Sequence, residues 1–240
     1  MNERPGASAT ATSTGGRVDP PLRIQILAAE HWSLLATRSL TWNEMFTRAA
    51  MFITVLSASL VAIALVAQAT SFATDARWFA LLVLPVVDVL GLLTFIRLGE
   101  ANTDDIGLVA AMNRLRRGYL EVAPELEPFF TTSSHDDMTG ILRSYGVGFR
   151  RGPVRFLAGT PALVGIVNVA LTGAITALAV AVISTSPAWL AAAGLVGAGA
   201  MASIEGAMVR RAVAAGRRSA RPRFPTPVDK ASTMSEEGEQ

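Results

Sequence analysis

The sequence predicts an all-α, polytopic membrane protein: four transmembrane helices with amphipathic helices on the cytoplasmic side. Three observations carry this. Hydrophobic residues are 51% of the 240 positions and charged residues only 17%, with a mean hydropathy of +0.40. The apolar residues are gathered into runs near the ~20 residues that cross a ~30 Å hydrocarbon core, instead of alternating with polar ones. Basic residues are confined to alternate connections, the pattern of the positive-inside rule. Helices are the elements such runs form, because backbone polar groups in lipid have to be paired within their own segment.

In chain order, residues 1–21 are Ala/Ser/Thr/Gly/Pro-rich without the apolar core of a signal peptide, and predict a disordered tail. Residues 22–100 predict a cytoplasmic lead-in helix and a first transmembrane hairpin. On the lead-in, Leu27, Leu34, Leu35 and Trp42 share a face, and Trp32 and Trp42 suit the headgroup level. A membrane-surface helix and a cytoplasmic packing helix both fit. Span one is 49–68, bounded by Arg48; span two is 78–96, between Arg77 and Arg97. Pro85 inside span two predicts a kink and a freed carbonyl.

Residues 101–156 predict a cytoplasmic helical connection that extends span two like a stalk. Thr103 with Asp104 and Asp105 predicts a helix start, with acids at the positive end of the dipole. Leu108, Met112, Leu115, Tyr119 and Val122 recur at three- and four-residue steps and give that helix a packing face, which Pro124 ends. A polar loop, TTSSHDDMTG, and a basic, glycine-rich return follow. Residues 157–209 predict the second hairpin. Span three runs from about Pro161 to Ser184, with Thr160 and Pro161 as N-cap and N1. Span four is 188–204, beyond a turn at Ser186-Pro187. Residues 210–240 predict a basic and then disordered tail, Pro-rich and polar.

Of 21 basic residues, 20 are arginine and one is Lys230, a bias expected of a high-GC bacterial genome. Only Arg77 falls on the two connections opposite the others, so both termini and the long middle connection are expected in the cytoplasm of a bacterial cell membrane. Topology thus accounts for the pI of about 9.6 without a nucleic-acid partner. The chain has no cysteine, which excludes disulfides and thiolate chemistry.

The candidate sites follow from residues out of place in this pattern. Asp88 interrupts the apolar run LPVVDVLGLL, and such a residue is a functional hypothesis by default. On span three, Asn168, Thr172 and Thr176 are spaced i, i+4, i+8 on one face. Asp88 lies nine residues, roughly 13 Å, above Arg97 and Asn168 seven residues, roughly 10 Å, inside Pro161, so the two are expected to face each other. An ion or proton pathway and a structural interhelical hydrogen bond both fit. Gly194, Ala198, Ala202 and Gly206 form a small-residue stripe for close helix packing, within the chain or between copies. Glu205 is expected as a solvated anchor beside Arg210 and Arg211. Arg150, Arg151, Arg155, Arg210 and Arg211 are expected to meet anionic headgroups. His135-Asp136-Asp137 and Glu30-His31 hint at metal binding, but with two histidines in the chain a capped polar turn is the better reading. The Gly146–Gly152 loop lacks the strand and glycine spacing of a phosphate loop. No cofactor, metal or catalytic pair is predicted.

EHWSLLATRSLTWNEMF, LLTFIRLGEAN and MNRLRRGYLEVAPELEPFF together resemble a group of small four-span integral membrane proteins of high-GC bacteria. The likeness covers about residues 28–137 and implies no activity, so it supplies no functional residues. A cytoplasmic helix leading into a two-span hairpin also resembles, in architecture alone, the two-helix pore-forming (SLATT-like) effectors of bacterial nucleotide-signalling defence. The resulting expectation is a small oligomeric channel or pore rather than an enzyme. The alternative is a membrane scaffold that binds a cytoplasmic protein. Partners are membrane lipids, further copies of the chain and that protein.

Overall fold

Residues 20–69 contain no glycine, and no proline after Pro21, so nothing interrupts a helix once two prolines at its first turn have set the backbone. In the computed structural model, which describes residues 19–71, 74–146, 160–219 and 222–227, they form one helix, α1 (Pro20–Ala69), of 50 residues. At 1.5 Å per residue it is about 75 Å long, more than twice a bilayer core. It stops where Ser71 takes a left-handed conformation (φ 52), a common way to end a helix.

The second helix, α2 (Thr74–Leu120), has 47 residues and runs back antiparallel to α1. It passes through Pro85 and through Thr103 without a break. The Thr103 hydroxyl donates to the Gly99 carbonyl one turn back and caps nothing, which corrects the expected helix start there. The buried residues of α2 explain its continuity. Ala80, Leu84, Val87, Gly91, Thr94, Leu98, Ala101 and Asp105 are all buried and separated by alternating steps of four and three, the seam of a coiled-coil pair. The same seam therefore serves the apolar half and the charged half of the helix, and no boundary falls at residue 100.

Crossing contacts set the register of α1 against α2. Arg23 pairs with Glu121, Arg38 with Asp105 and Arg97 with Glu44, while Phe52 lies over Gly91. The partner numbers fall on α2 as they rise on α1, as antiparallel helices demand. A short 3-10 helix (Pro124–Phe129) and α3 (Met138–Ser144) fold back on the end of α2. Asp137 caps α3 by accepting a hydrogen bond from the Gly140 amide.

The remaining elements are α4 (Thr160–Val180) and α5 (Pro187–Ser219). Four helices, α1, α2, α4 and α5, are long and apolar enough to cross a membrane. They pack as a row in the order α1, α2, α4, α5, and the two outer helices do not touch among the described residues. The core lies where α4 meets its neighbours, around Phe52, Leu84, Val87, Phe95, Leu98, Val164 and Leu171. No strand occurs among the described residues. Helix α5 runs well past the expected end of span four, carrying Glu205, Arg210 and Arg211 on one continuous helix.

The small-residue stripe is corrected in its second half. Gly194 and Ala198 do meet Gly173 and Ala177 of α4, but Ala202 is exposed and Gly206 faces only Arg210 among the described residues. The contact row continues instead through Met201 and Glu205, both buried. A straight helix of 3.6 residues per turn drifts out of an unbroken four-residue stripe, so the seam alternates steps of four and three. The packing is intramolecular.

Candidate functional site

Two carboxyl groups lie within the apolar helices, one on each side of α4. Asp88 of α2 is half-buried, and the Thr172 hydroxyl lies 3.1 Å and 3.0 Å from its two oxygens. Glu205 of α5 is 6% exposed and accepts a 3.0 Å hydrogen bond from the Asn168 amide nitrogen. Asn168 is completely buried, and its Oδ1 has no hydrogen-bond partner. Asp88 and Glu205 are within electrostatic reach of one another. Neither makes an ion pair with an arginine, lysine or histidine among the described residues.

Two glycines make the space. A Cβ on Gly165 would stand 2.8 Å from Glu205 Oε2 and 3.0 Å from the Phe95 ring, so a bare backbone on α4 admits the α5 carboxyl. A Cβ on Gly91 would run into Asn168 Oδ1 and the Phe52 ring. Thr176 sets the height of the α4–α5 pair: its hydroxyl lies 3.0 Å from the Ala193 carbonyl, and Gly197 leaves room for it.

Asn168, Thr172 and Thr176, expected on one face, are thus all engaged between helices, but not with the expected partners. Asn168 turns to Glu205, and Thr172 takes Asp88. Glu205 is the residue that the sequence reading misplaced. It is no solvated anchor, because it falls four residues after Met201 on the buried row of α5. The signal available beforehand was its phase with Gly194, Gly197 and Met201, and the absence of a basic residue on α5 before Arg210.

A second polar cluster ties the charged halves of α1 and α2 to α3. Asp105, 4% exposed, accepts hydrogen bonds from Arg38 Nε at 2.7 Å, from Trp42 Nε1 at 3.0 Å and from the Tyr145 hydroxyl. The Arg38 guanidinium also lies over the Tyr145 ring, 5.4 Å from its centre. Burial pushes the Asp105 carboxyl up, but the hydrogen bonds from Arg38, Tyr145 and Trp42 outweigh it and hold the pKa below the usual carboxylate range. Beside it, fully buried Asn113 donates to the His135 carbonyl at 2.7 Å and accepts from Arg116 and Ser144.

The third cluster is an acidic notch at Asp136 and Asp137. Asp136 is 5% exposed and meets Arg114 Nε at 2.6 Å. It also accepts the backbone N–H groups of Arg223 at 2.9 Å and Phe224 at 2.7 Å. Residues 222–227, expected to be part of a disordered tail, are therefore seated here. Burial raises both carboxyls, yet for Asp136 the Arg223 amide, Arg114 and the Phe224 amide, and for Asp137 the Thr226 hydroxyl and the Gly140 amide, bring the net shift downward. A lowered folded pKa contributes stability above the unfolded value of about 3.9 and loses it as pH falls through the folded value. The notch is therefore fully formed at neutral pH.

No group of three or more His, Cys, Asp or Glu side chains that could hold a metal occurs among the described residues. Arg210 and Arg211 are exposed near the end of α5. Arg150, Arg151 and Arg155, and the Gly148–Gly152 part of the glycine-rich loop, lie outside the described residues. No protein-family model, curated protein or solved structure matches the chain.

Proposed function

We propose that the protein is a small bacterial inner-membrane channel that passes protons or monovalent cations as a homo-oligomer. Both termini and the α1–α2 stalk then lie in the cytoplasm, as the arginine distribution favours. One observation carries the reading: Asp88 and Glu205 sit among apolar helices with a hydroxyl and an amide, and among the described residues no cation, as partners. A carboxyl at the bilayer centre costs ~3 kcal/mol on insertion scales and is seldom kept without a role. Protonation or a bound cation is what neutralises such a group, and Asn168 Oδ1, which has no hydrogen-bond partner among the described residues and faces Gly91 of α2, is a further polar atom between the two carboxyls' helices. The row of helices favours assembly, because the two outer helices do not touch each other among the described residues and each keeps a free side.

The test is flux in proteoliposomes, read by an internal pH dye under imposed sodium and potassium gradients. The wild-type chain is expected to conduct, and Asp88→Asn and Glu205→Gln, which keep shape and remove charge, to lower the rate at least tenfold each. A wild-type chain with no flux, or variants that conduct normally, defeats the reading. A scaffold role is the second reading. It rests on the exposed side of the α1 stalk, where Ile24, Trp32 (70% exposed), Leu35 and Phe46 stand free. Leu35, Arg38, Ser39 and Trp42 line a groove of about 330 Å³ there. For a scaffold, flux is absent and Trp32→Ser with Leu35→Ser abolishes binding of the partner protein.

A further inference from the structure

The segment Pro222–Pro227 (PRFPTP) touches the rest of the chain largely through its backbone. Prolines at 222, 225 and 227 lack an N–H and fix φ, and the chain bends at Arg223 and Phe224, so the segment offers only three amide donors. Arg223 and Phe224 place theirs on the Asp136 carboxylate. Thr226 adds its hydroxyl, 2.7 Å from Asp137 Oδ1. In return the Asp136 N–H donates to the Phe224 carbonyl at 3.2 Å. Arg114 balances the charge of Asp136 from the α2 side, and the Arg223 guanidinium folds over the Phe224 ring at 5.9 Å. Two acids, each buried or half-buried, thus take two of the segment's three amide donors and its one hydroxyl.

We infer that the 131–137 loop with Arg114 is a recognition site for a proline-bounded Arg-Phe-Pro-Thr segment that bends to bring two adjacent amides onto one carboxylate, filled here by the chain's own residues 222–227. The occupied site is a latch. Helix α5 ends at Ser219, three residues before Pro222, so seating the segment fixes the end of α5 against the end of α2. Helix α5 is also the one that carries Glu205, and opening the latch frees it to tilt. This goes beyond the channel reading and does not depend on it: the site stands on the donors and acceptors of the notch alone.

The absence of cysteine makes a direct test available. In the full chain in detergent, Asp137→Cys combined with Thr226→Cys is expected to form a disulfide on mild oxidation, with the protein still migrating as a monomer. Thiols that stay free overturn the site, and a crosslinked dimer overturns occupancy by the chain's own tail. Because Asp137 also caps α3, a second measurement leaves it intact. Hydrogen exchange on the unmodified chain is expected to show the Arg223 and Phe224 amides protected at least tenfold over an unstructured peptide. Asp136→Asn is expected to remove that protection at Arg223 and Phe224. Amides that exchange at the unstructured rate in the wild-type chain overturn the inference.

Discussion

Arg38→Ala is expected to destabilise the protein by about 3 kcal/mol, since it strips the only ion-pair partner described for a carboxylate that is 4% exposed. Breaking a buried pair from one side typically costs ~3–5 kcal/mol, and the lower end applies because the Arg38 side chain keeps 27% of its surface in solvent. The Trp42 and Tyr145 donors survive the change, but they carry no charge to offset that of Asp105. Unfolding of the detergent-solubilised chain in rising SDS measures the loss. Replacing both partners, Arg38→Met with Asp105→Leu, is expected to recover about half of that loss, because no buried charge is then left alone while the Trp42 indole N–H gives up its acceptor. If the single and double variants unfold together, the pair is not holding the stalk. The pH dependence has a defined sign. With its folded pKa lowered, Asp105 stabilises above the ordinary carboxylate pKa of about 3.9, and the contribution fades as pH falls through the folded value. The Arg38→Ala chain lacks that acid-labile share.

Gly91→Val is expected to have the second large effect, about 3 kcal/mol in the same SDS unfolding assay. At Gly91 α2 meets both α1 and α4: an added Cβ would lie 2.7 Å from Phe52 Cε2 and would also run into Asn168 Oδ1. Overpacking a close-packed core costs ~1–3 kcal/mol, and a branched side chain takes the upper end because it is stiff at χ1. The loss is expected to be relieved in part by Phe52→Leu, which vacates the ring position. It is also expected to uncouple Asn168 from Glu205, so a Gly91→Val chain that still folds in mild detergent should lose flux as well. Gly99, whose added Cβ meets nothing within 4 Å, is the control: Gly99→Val is expected to cost under 1 kcal/mol.

Composition alone set the number and position of the four apolar helices, because a run of about 20 apolar residues is a local property that needs no partner to be recognised. Local pattern also singled out Asp88 and the Asn168–Thr172–Thr176 face, and it read His135-Asp136-Asp137 as a capped polar turn, where the structure starts α3 at Asp137. Partner choice was not local. Asp105 looked like a first-turn acid because it lies two residues after Thr103; the seam that buries it begins at Ala80, far outside the window in which helix starts are read. Glu205 looked like a boundary residue because Arg210 follows it, yet helical phase along α5 turns it inward to Asn168, 37 residues away in sequence. The tail looked disordered because short polar, proline-rich segments bury too little to hold themselves. Its order comes from Asp136, 87 residues before the Arg223 amide it accepts. Burying a charge or seating a segment depends on which side chains converge in space, and that convergence belongs to the tertiary structure.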